Sequence, residues 1–550
     1  MAPGGSYAEG NPEQGDPQSG FQEKHQVEHN YEDERPGPLN LRLSSPKPGR
    51  AVEYCHLAHN LRQLLYQRGQ FECPPQVSER YEVTNRVLSL FKTWLYHVMD
   101  AKGLREALHG APSFRMRQFG SLRLGVQDVT SDIDLCFVGP RWISREEFFS
   151  SFPKLTSILL TTCKTSTFID PMYVFLSCAA DVKLEQYPHE FTKLSVLPLA
   201  FVPVIRVTCR NFGIDIVFAR AEVDEISREL DLLSSSTIES LVTDIRCVRS
   251  LNGYRVTEVV LRFVPRYRVF QLALKTIRFW AKCHKIYSHT LGYLGGVSWA
   301  ILVAKVCTIY PKAGAARIVN KFFLVMSQWR WPEPVMLLPE GYGASPHLWS
   351  ITQMPWDIMP IITPVYPQQN SSFNVSKSTL LVMKNAFTEG LRITDAVLLE
   401  DVDWEKLFEP MDIFSLYEHF VILQTVRHNT DADDKELWVI SVERCMKKFL
   451  NGIDQCQQCP IEYLHVSPDY SVRVHEGHLQ ISWLFGVQFL PDAESLLDDL
   501  EEHTRSLFSS IASSLAGGQV VLDERDFIRS FFVNRHHARE LMEPRDIWIE

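Results

Sequence analysis

The run Phe119-Gly120-Ser121-Leu122-Arg123-Leu124-Gly125 leads, through a short polar turn, to Ser131-Asp132-Ile133-Asp134 and the apolar stretch Leu135 to Val138. No other feature restricts the fold of this chain so tightly. Side chains alternate faces along an extended strand, so Asp132 and Asp134 project together while Ile133 points into a core. Two carboxylates held that close repel each other, and a divalent cation is the common reason to hold them there. Gly120 lets backbone N–H groups approach a polyphosphate, and Ser121 adds a hydroxyl donor. For a bare Asp-x-Asp the plain alternative is a turn and an edge strand with two solvated aspartates. The Gly-Ser turn at this spacing and the apolar run behind the acids argue against it.

A third acid extends the pattern. Asp215 stands in Gly213-Ile214-Asp215-Ile216-Val217-Phe218, a strand-like run where a lone acid is costly unless paired or metal-bound. If the two strands are neighbours, Asp132, Asp134 and Asp215 form one cluster able to hold two magnesium ions. That arrangement implies nucleotidyl transfer.

The 550 residues leave room for about two to four domains. A net charge of −10 argues against a histone-like general nucleic-acid binder but allows a local basic cleft. The cysteines show no disulfide-like pattern and no secretory leader is seen, which points to a reducing compartment, cytosol or nucleus. The sequons at Asn370 and Asn374 then carry no meaning. Cys456 and Cys459, with His465 downstream, lack a second ligand pair, so zinc is not expected. The longest apolar stretch, Leu291 to Ala304, is too short to span a bilayer and reads as a buried helix.

Residues 1–50 are rich in Gly, Pro, Gln and charge and are expected to be disordered. Helical periodicity follows from Val52 through Leu95, then strands with intervening helices over about 111–220, then mostly helices over about 235–345. Met359 to Pro367 reads as an extended connector, Val375 to Leu391 as a helix capped by Ser376, and Leu437 to Leu450 as a helix. His478 to Phe489 reads as a strand and Ala493 to Leu515 as a helix, together a separate α+β unit. Between Arg255 and Arg330 the basic residues include Arg255, Lys275, Arg278, Lys282 and Lys285, against the single acid Glu258. This concentrates positive potential where a polyanion could lie. Trp280 and Trp299 read as core, and Arg278 and Lys282, four apart on one helix face, as phosphate contacts.

The chain resembles the eukaryotic nuclear-type poly(A) polymerases from roughly residue 55 to 540. The resemblance rests on Phe119–Gly125 with Asp132-Ile133-Asp134, Phe201–Ile205 leading to Asp215, Asp244–Gly253, Trp280–Ser288, Leu291–Trp299 and Met359–Asn370. It implies an α+β multidomain protein: a palm-like nucleotidyltransferase α/β domain (51–234), a helical central domain (235–366) and a C-terminal RNA-recognition-like α+β domain (367–545). It implies ATP as nucleotide, an RNA 3′ end as acceptor, and two Mg²⁺ or Mn²⁺ ions on Asp132, Asp134 and Asp215. Phe119, Gly120, Ser121, Asp132, Ile133, Asp134, Asp215, Arg278, Tyr287, Gly296 and Val297 would bind ATP, and Asn252 and Lys282 would lie near nucleotide or primer. Cleavage and polyadenylation factors as partners, a monomer, no membrane and a nuclear location (alternatively cytoplasmic) complete what it implies.

Some positions depart from the family pattern. Leu122 replaces an aromatic residue after Gly-Ser, and Asp128 replaces a small hydroxylated one, adding negative charge beside a triphosphate. Arg278 replaces a lysine, and there is surplus chain near 161–193. A uridylyltransferase-like enzyme, or an RNA-binding subunit with weakened catalysis, are the alternatives these departures leave.

Overall fold

The computed structural model describes residues 50–108, 112–161, 191–337, 348–428, 432–455, 461–475, 478–490 and 527–542. The expected tail at 1–50, most of the surplus near 161–193, the Cys456–Cys459 pair and the expected helix Ala493 to Leu515 lie outside these residues, apart from their edges. From residue 51 on, the described chain forms one compact unit.

Two helices lead, α1 (Arg50–Gln67) and α2 (Pro74–Ala101). Prolines at the start of α2 suit a first turn whose N–H groups have no intrahelical partner. Next come β1 (Arg115–Gln118), α3 (Gly120–Leu124), β2 (Ile133–Gly139), α4 (Arg145–Thr161), β3 (Phe191–Leu197), β4 (Val204–Cys209) and β5 (Phe212–Arg220). The strands form a five-stranded sheet in the order β1-β2-β5-β4-β3. Only β2 and β5 run parallel, and their register sets Asp134 opposite Asp215.

Alternation along the strands covers both faces. Ile133, Leu135, Phe137, Ile214, Ile216 and Phe218 meet Phe91 and Trp94 of α2 and Phe148 and Phe152 of α4. The Phe91 and Phe137 rings stack at 3.8 Å. On the other face Cys136, Val138, Val217 and Ala219 meet α5 (Ser235–Leu241) and α6 (Ile245–Phe263). Burying such large aromatic side chains supplies the main driving force for this unit.

The helical part continues with α7 (Tyr267–Cys283), α8 (Gly296–Ile309), α9 (Ala315–Gln328) and α10 (Lys377–Leu398). Trp280 and Trp299 are fully buried, their rings perpendicular at 6.1 Å, as their reading as core requires. The single helix expected over Leu291 to Ala304 starts only at Gly296, because Gly292 adopts φ +84, a conformation no helix residue holds. The connector expected to be extended over Met359 to Pro367 pairs as strand only at Ile361 and Ile362 and bends over residues 364–367, and it is not an exposed one. Met359, Ile361 and Ile362 are buried, and Ile361 and Ile362 bridge to Val335 and Asn370. Ser376 caps α10 by accepting from Thr379 N at 3.3 Å. The helix outruns the expected Leu391 and ends at Leu398.

Leu57, Leu61, Leu64 and Leu65 of α1 are buried in the same core as α7, α8 and Trp404, and Trp404 Nε1 donates to Leu57 O at 2.9 Å. The C-terminal part holds α11 (Ile413–Leu416), β6 (His419–Arg427), α12 (Ala432–Gln455), β7 (Ile461–His475), β8 (His478–Phe489), β9 (Phe527–Asn534) and α13 (Arg535–Met542). Its four strands form an antiparallel sheet in the order β7-β8-β6-β9. His465 of β7 is fully buried and bonded through Nδ1 to Tyr417 Oη at 2.9 Å; burial pushes its pKa down to about 3. Among the described residues no helix is long and apolar enough to cross a membrane.

Candidate active site

Asp132 and Asp134 stand at the start of β2, and Asp215 lies on the neighbouring β5. Asp134 and Asp215 are direct partners in the parallel ladder, and Asp132 precedes β2. Two glycines make room for the acids. A Cβ on Gly120 would fall 2.1 Å from Asp134 Oδ2, and one on Gly213 would fall 2.2 Å from Asp132 Oδ1. Each position therefore needs a residue without a side chain. Gly120 also adopts φ +64, the left-handed region glycine enters freely.

The Gly-Ser turn is pinned from two sides. Phe119 N donates to Asp134 O at 3.2 Å, and Gly120 N donates to Thr257 Oγ1 of α6 at 3.2 Å. A Cβ on Gly253 would sit 2.5 Å from the Phe119 ring, so α6 presents a flat seat to that ring. Thr257 did not stand out in the sequence, and Gly253 was named only as the end of the Asp244–Gly253 stretch; their four-residue helical spacing is the signal that pairs them.

Cationic side chains clamp the loop between the turn and the aspartates. Arg278 Nη1 donates to Val126 O at 2.8 Å, Lys275 Nζ to Gln127 O at 2.6 Å, and Arg80 Nη1 to Ser131 O at 2.7 Å. Arg80 is itself held by Glu72, Nη2 to Oε1 at 2.6 Å, both side chains almost wholly buried. Burial lowers the Lys275 pKa to about 8, the cost of its structural post. Lys275 and Arg255, both counted in the basic stretch, are buried rather than displayed to solvent. Arg255 Nη1 donates to Asn252 Oδ1 at 3.0 Å and to Tyr366 O.

Asp128 divides its two oxygens. Oδ1 accepts from Thr130 N at 3.0 Å, Thr130 Oγ1 at 2.7 Å and Ser131 Oγ at 3.0 Å, while Oδ2 pairs with Lys282 Nζ at 2.8 Å. Burial alone would raise this carboxyl, but the hydrogen bonds from Lys282, Thr130 and Ser131 and the Lys282 charge hold it well below the usual carboxylate range. Asp128 therefore stands as an anion bound into its loop.

Above the aspartates opens a pocket of roughly 410 Å³, a size that suits a nucleotide. Phe119, Gly120, Ser121, Asp132, Asp134, Arg278, Lys282, Tyr287, Gly296 and Val297 all line it. Val256, Val260, Leu274 and Ala300 add apolar wall that sequence reasoning did not single out. Three expected residues do not line it. Ile133 is fully buried in the sheet core, Asn252 is engaged by Arg255, and Asp215 lies beside the pocket with Arg206 Nε 3.2 Å from its Oδ1. The start of α8, where first-turn N–H groups lack intrahelical partners, opens onto the pocket at Gly296 and Val297.

The acids fit a divalent cation by their electrostatics. Burial, then the charges of Asp215 and Asp132, push the Asp134 carboxyl up to about 7 despite Arg278 and Arg206 nearby. A site that strains against its own negative charge while glycines keep it open is one a cation relieves. Among the described residues no three acidic, His or Cys side chains are gathered as a finished metal cage. The carboxylates share one side of the sheet, and the Arg206 guanidinium holds part of the charge of Asp215.

The sequence matches the poly(A) polymerase nucleotidyltransferase domain over residues 43–176 and 164–264, and the poly(A) polymerase central domain over 269–410. It is 33% identical over 434 residues to nuclear poly(A) polymerase 1 of Arabidopsis thaliana, covering 78% of this chain and 56% of that protein. It is 32% identical over 413 residues to the poly(A) polymerase of Dictyostelium discoideum, covering 74% of this chain and 47% of that protein. The chain thus spans about half the length of the curated relatives it matches. A solved structure of the Cid1 poly(U) polymerase aligns with a TM-score of 0.42 and 15% identity over 65% of this chain and 99% of that one. Two consecutive domain matches enclose the aspartate strands, the pocket and the helices that close it, so the chain belongs to the poly(A) polymerase family.

Proposed function

We propose that this chain adds adenylate to RNA 3′ ends without a template, transferring AMP from ATP and releasing pyrophosphate. The carrying observation is the Asp134–Asp215 register on neighbouring strands, which sets Asp134 in the lining of a nucleotide-sized pocket rimmed by Arg278 and Lys282, with Asp215 beside it. Membership of the poly(A) polymerase family supports adenylate as the transferred group.

In this reading Asp132, Asp134 and Asp215 hold two Mg²⁺ or Mn²⁺ ions, which when bound neutralise the triphosphate and favour the attacking alkoxide. Gly120 and Ser121 present donors to the phosphates, Arg278 and Lys282 draw in their charge, and Tyr287 and Val297 shape the wall against the base. The 3′ oxygen attacks the α-phosphorus in line. The new P–O bond forms as the bond to the bridging oxygen breaks, pyrophosphate leaves, and the hydroxyl proton passes to solvent. No side chain forms a covalent bond, because positioning and charge carry phosphoryl transfer. The boundaries 51–234, 235–366 and 367–545, a nuclear location, RNA contact by the C-terminal sheet, cleavage and polyadenylation factors as partners and a monomeric state belong to the same proposal.

The test incubates purified protein with an oligo(A) primer, Mg²⁺ or Mn²⁺ and each nucleoside triphosphate in turn. A ladder with ATP alone is expected. A ladder with UTP instead turns the reading to uridylyl transfer, and no ladder with any nucleotide leaves an RNA-binding subunit.

A further inference from the structure

Lys282 faces the pocket, yet its ammonium is already matched. Its Nζ sits 2.8 Å from Asp128 Oδ2, with the Lys282 side chain 38% exposed and that of Asp128 only 9%. The two oxygens of Asp128 do separable work. Oδ1 closes the loop turn onto Thr130 and Ser131, and any acceptor of the same shape can do that. Oδ2 serves Lys282 and needs its charge. The loop hydroxyls that fix Asp128 also line the pocket, so this anion lies at the rim where a triphosphate enters.

Resting on the reading of this pocket as a nucleotide site, we propose that Asp128 sets its affinity for the triphosphate by competing for Lys282. An incoming polyanion finds one rim cation, Arg278, hydrogen-bonded to a neutral carbonyl and beside the Tyr287 ring, and the other, Lys282, already paired with a carboxylate. Engaging Lys282 means sharing or displacing that carboxylate, and the rigid cap on Oδ1 keeps Asp128 from swinging away. Tyr287 adds to the constraint, since the Lys282 ammonium also lies 5.8 Å from its ring and is held between ring and carboxylate. The pocket therefore takes triphosphates more weakly than its rim cations allow, and it stays selective for ligands with enough negative charge to win Lys282.

The test titrates the full-length chain and its Asp128→Asn variant with inorganic tripolyphosphate in Mg²⁺ by calorimetry, and measures KM and kcat for ATP beside it. Asparagine keeps the Oδ1 acceptor and removes the charge. Tripolyphosphate binding at least about fivefold tighter, about 1 kcal/mol, with a parallel fall in KM, is expected. The gain should disappear when Asp128→Asn is made on a Lys282→Met background. Unchanged or weaker binding by Asp128→Asn with an unaltered melting temperature overturns the proposal and leaves Asp128 as a loop cap. Should Asp128→Asn fail to fold, Asp128→Ser, which also offers an acceptor, is judged by the same criterion. Tighter tripolyphosphate binding in a chain that incorporates no AMP sustains the Asp128–Lys282 pairing and defeats the polymerase reading. Incorporation with unchanged binding defeats the pairing alone.

Discussion

Replacing Gly120 by alanine tests whether the turn and the strand aspartates are one rigid object. An L-residue in left-handed backbone costs about 1–2 kcal/mol, and Gly120 stands at φ +64. The contact adds more, since the new Cβ would lie 2.1 Å from Asp134 Oδ2 and 3.0 Å from its Cγ. Carbon and oxygen come no closer than about 3.3 Å even in weak hydrogen bonds, so Asp134 or the turn must yield by about 1 Å. A displacement of about 1 Å at reacting atoms costs on the order of 10²-fold in rate. Gly103 supplies the control: it has φ +64 and nothing within 4 Å of an added Cβ. Gly103→Ala should lose about 1–2 kcal/mol of stability and keep its activity. Gly120→Ala should extend primers about 100-fold more slowly at saturating ATP. Primer extension rates and thermal melting of both variants provide the comparison. A folded Gly120→Ala protein extending within about threefold of wild type, about 0.6 kcal/mol of barrier, would refute the coupling of turn and carboxylate.

Asp134→Ala should abolish nucleotide addition while leaving circular dichroism and RNA binding largely intact; residual tailing above about a hundredth of wild type sinks its assignment. Chelation with EDTA should stop extension and added Mg²⁺ or Mn²⁺ restore it, and extension that persists in chelator counts against the metal reading. Arg80→Ala strips the buried Glu72 carboxylate of its partner and should destabilise the fold by about 3–5 kcal/mol, seen as a lower melting temperature. An unchanged melting temperature there removes the clamp from the argument. His465 is held neutral, so its contribution is full above the ordinary pKa of 6.5 and is lost as pH falls from there toward about 3. At pH 5 that loss should be about 2 kcal/mol, and His465→Gln should lose correspondingly less stability between pH 7 and pH 5. Equal acid sensitivity of the two proteins counts against this buried histidine as the cause.

Strand alternation alone put Asp132 and Asp134 on one side, and the apolar runs beside them and around Asp215 marked strands. That these strands are neighbours was a condition the sequence could state but not check, because a ladder joining residues so far apart leaves no local pattern, and their parallel direction came only with the fold. Asp128 shows the opposite limit. Read along the chain it is a charge beside a triphosphate; in three dimensions most of its hydrogen-bonding capacity goes to its own loop and the rest to a lysine of α7. Arg80 and Thr257 carried no motif, since each acts through a partner far away in sequence, and Glu72 acts through Arg80. The boundary of α8 was misplaced for a local reason, a run of apolar residues that hides a turn at Gly292. Asn252 was placed by family likeness near nucleotide or primer; the fold adds a bond to its side-chain oxygen from Arg255 that the likeness did not show.

The bond from Trp404 to Leu57 bears on how the molecule is made. At about 5–20 residues per second, the 347 positions between them take roughly 20–70 s to translate. Throughout that interval α1 has left the ribosome with Leu57, Leu61, Leu64 and Leu65 still lacking the complete core that later covers them. The earliest described helix thus closes among the last. A fragment ending near residue 234, however intact its aspartate strands, would carry that apolar stripe bare. A fragment meant to isolate the nucleotidyl-transfer half therefore needs the chain through Phe408 to keep that stripe covered.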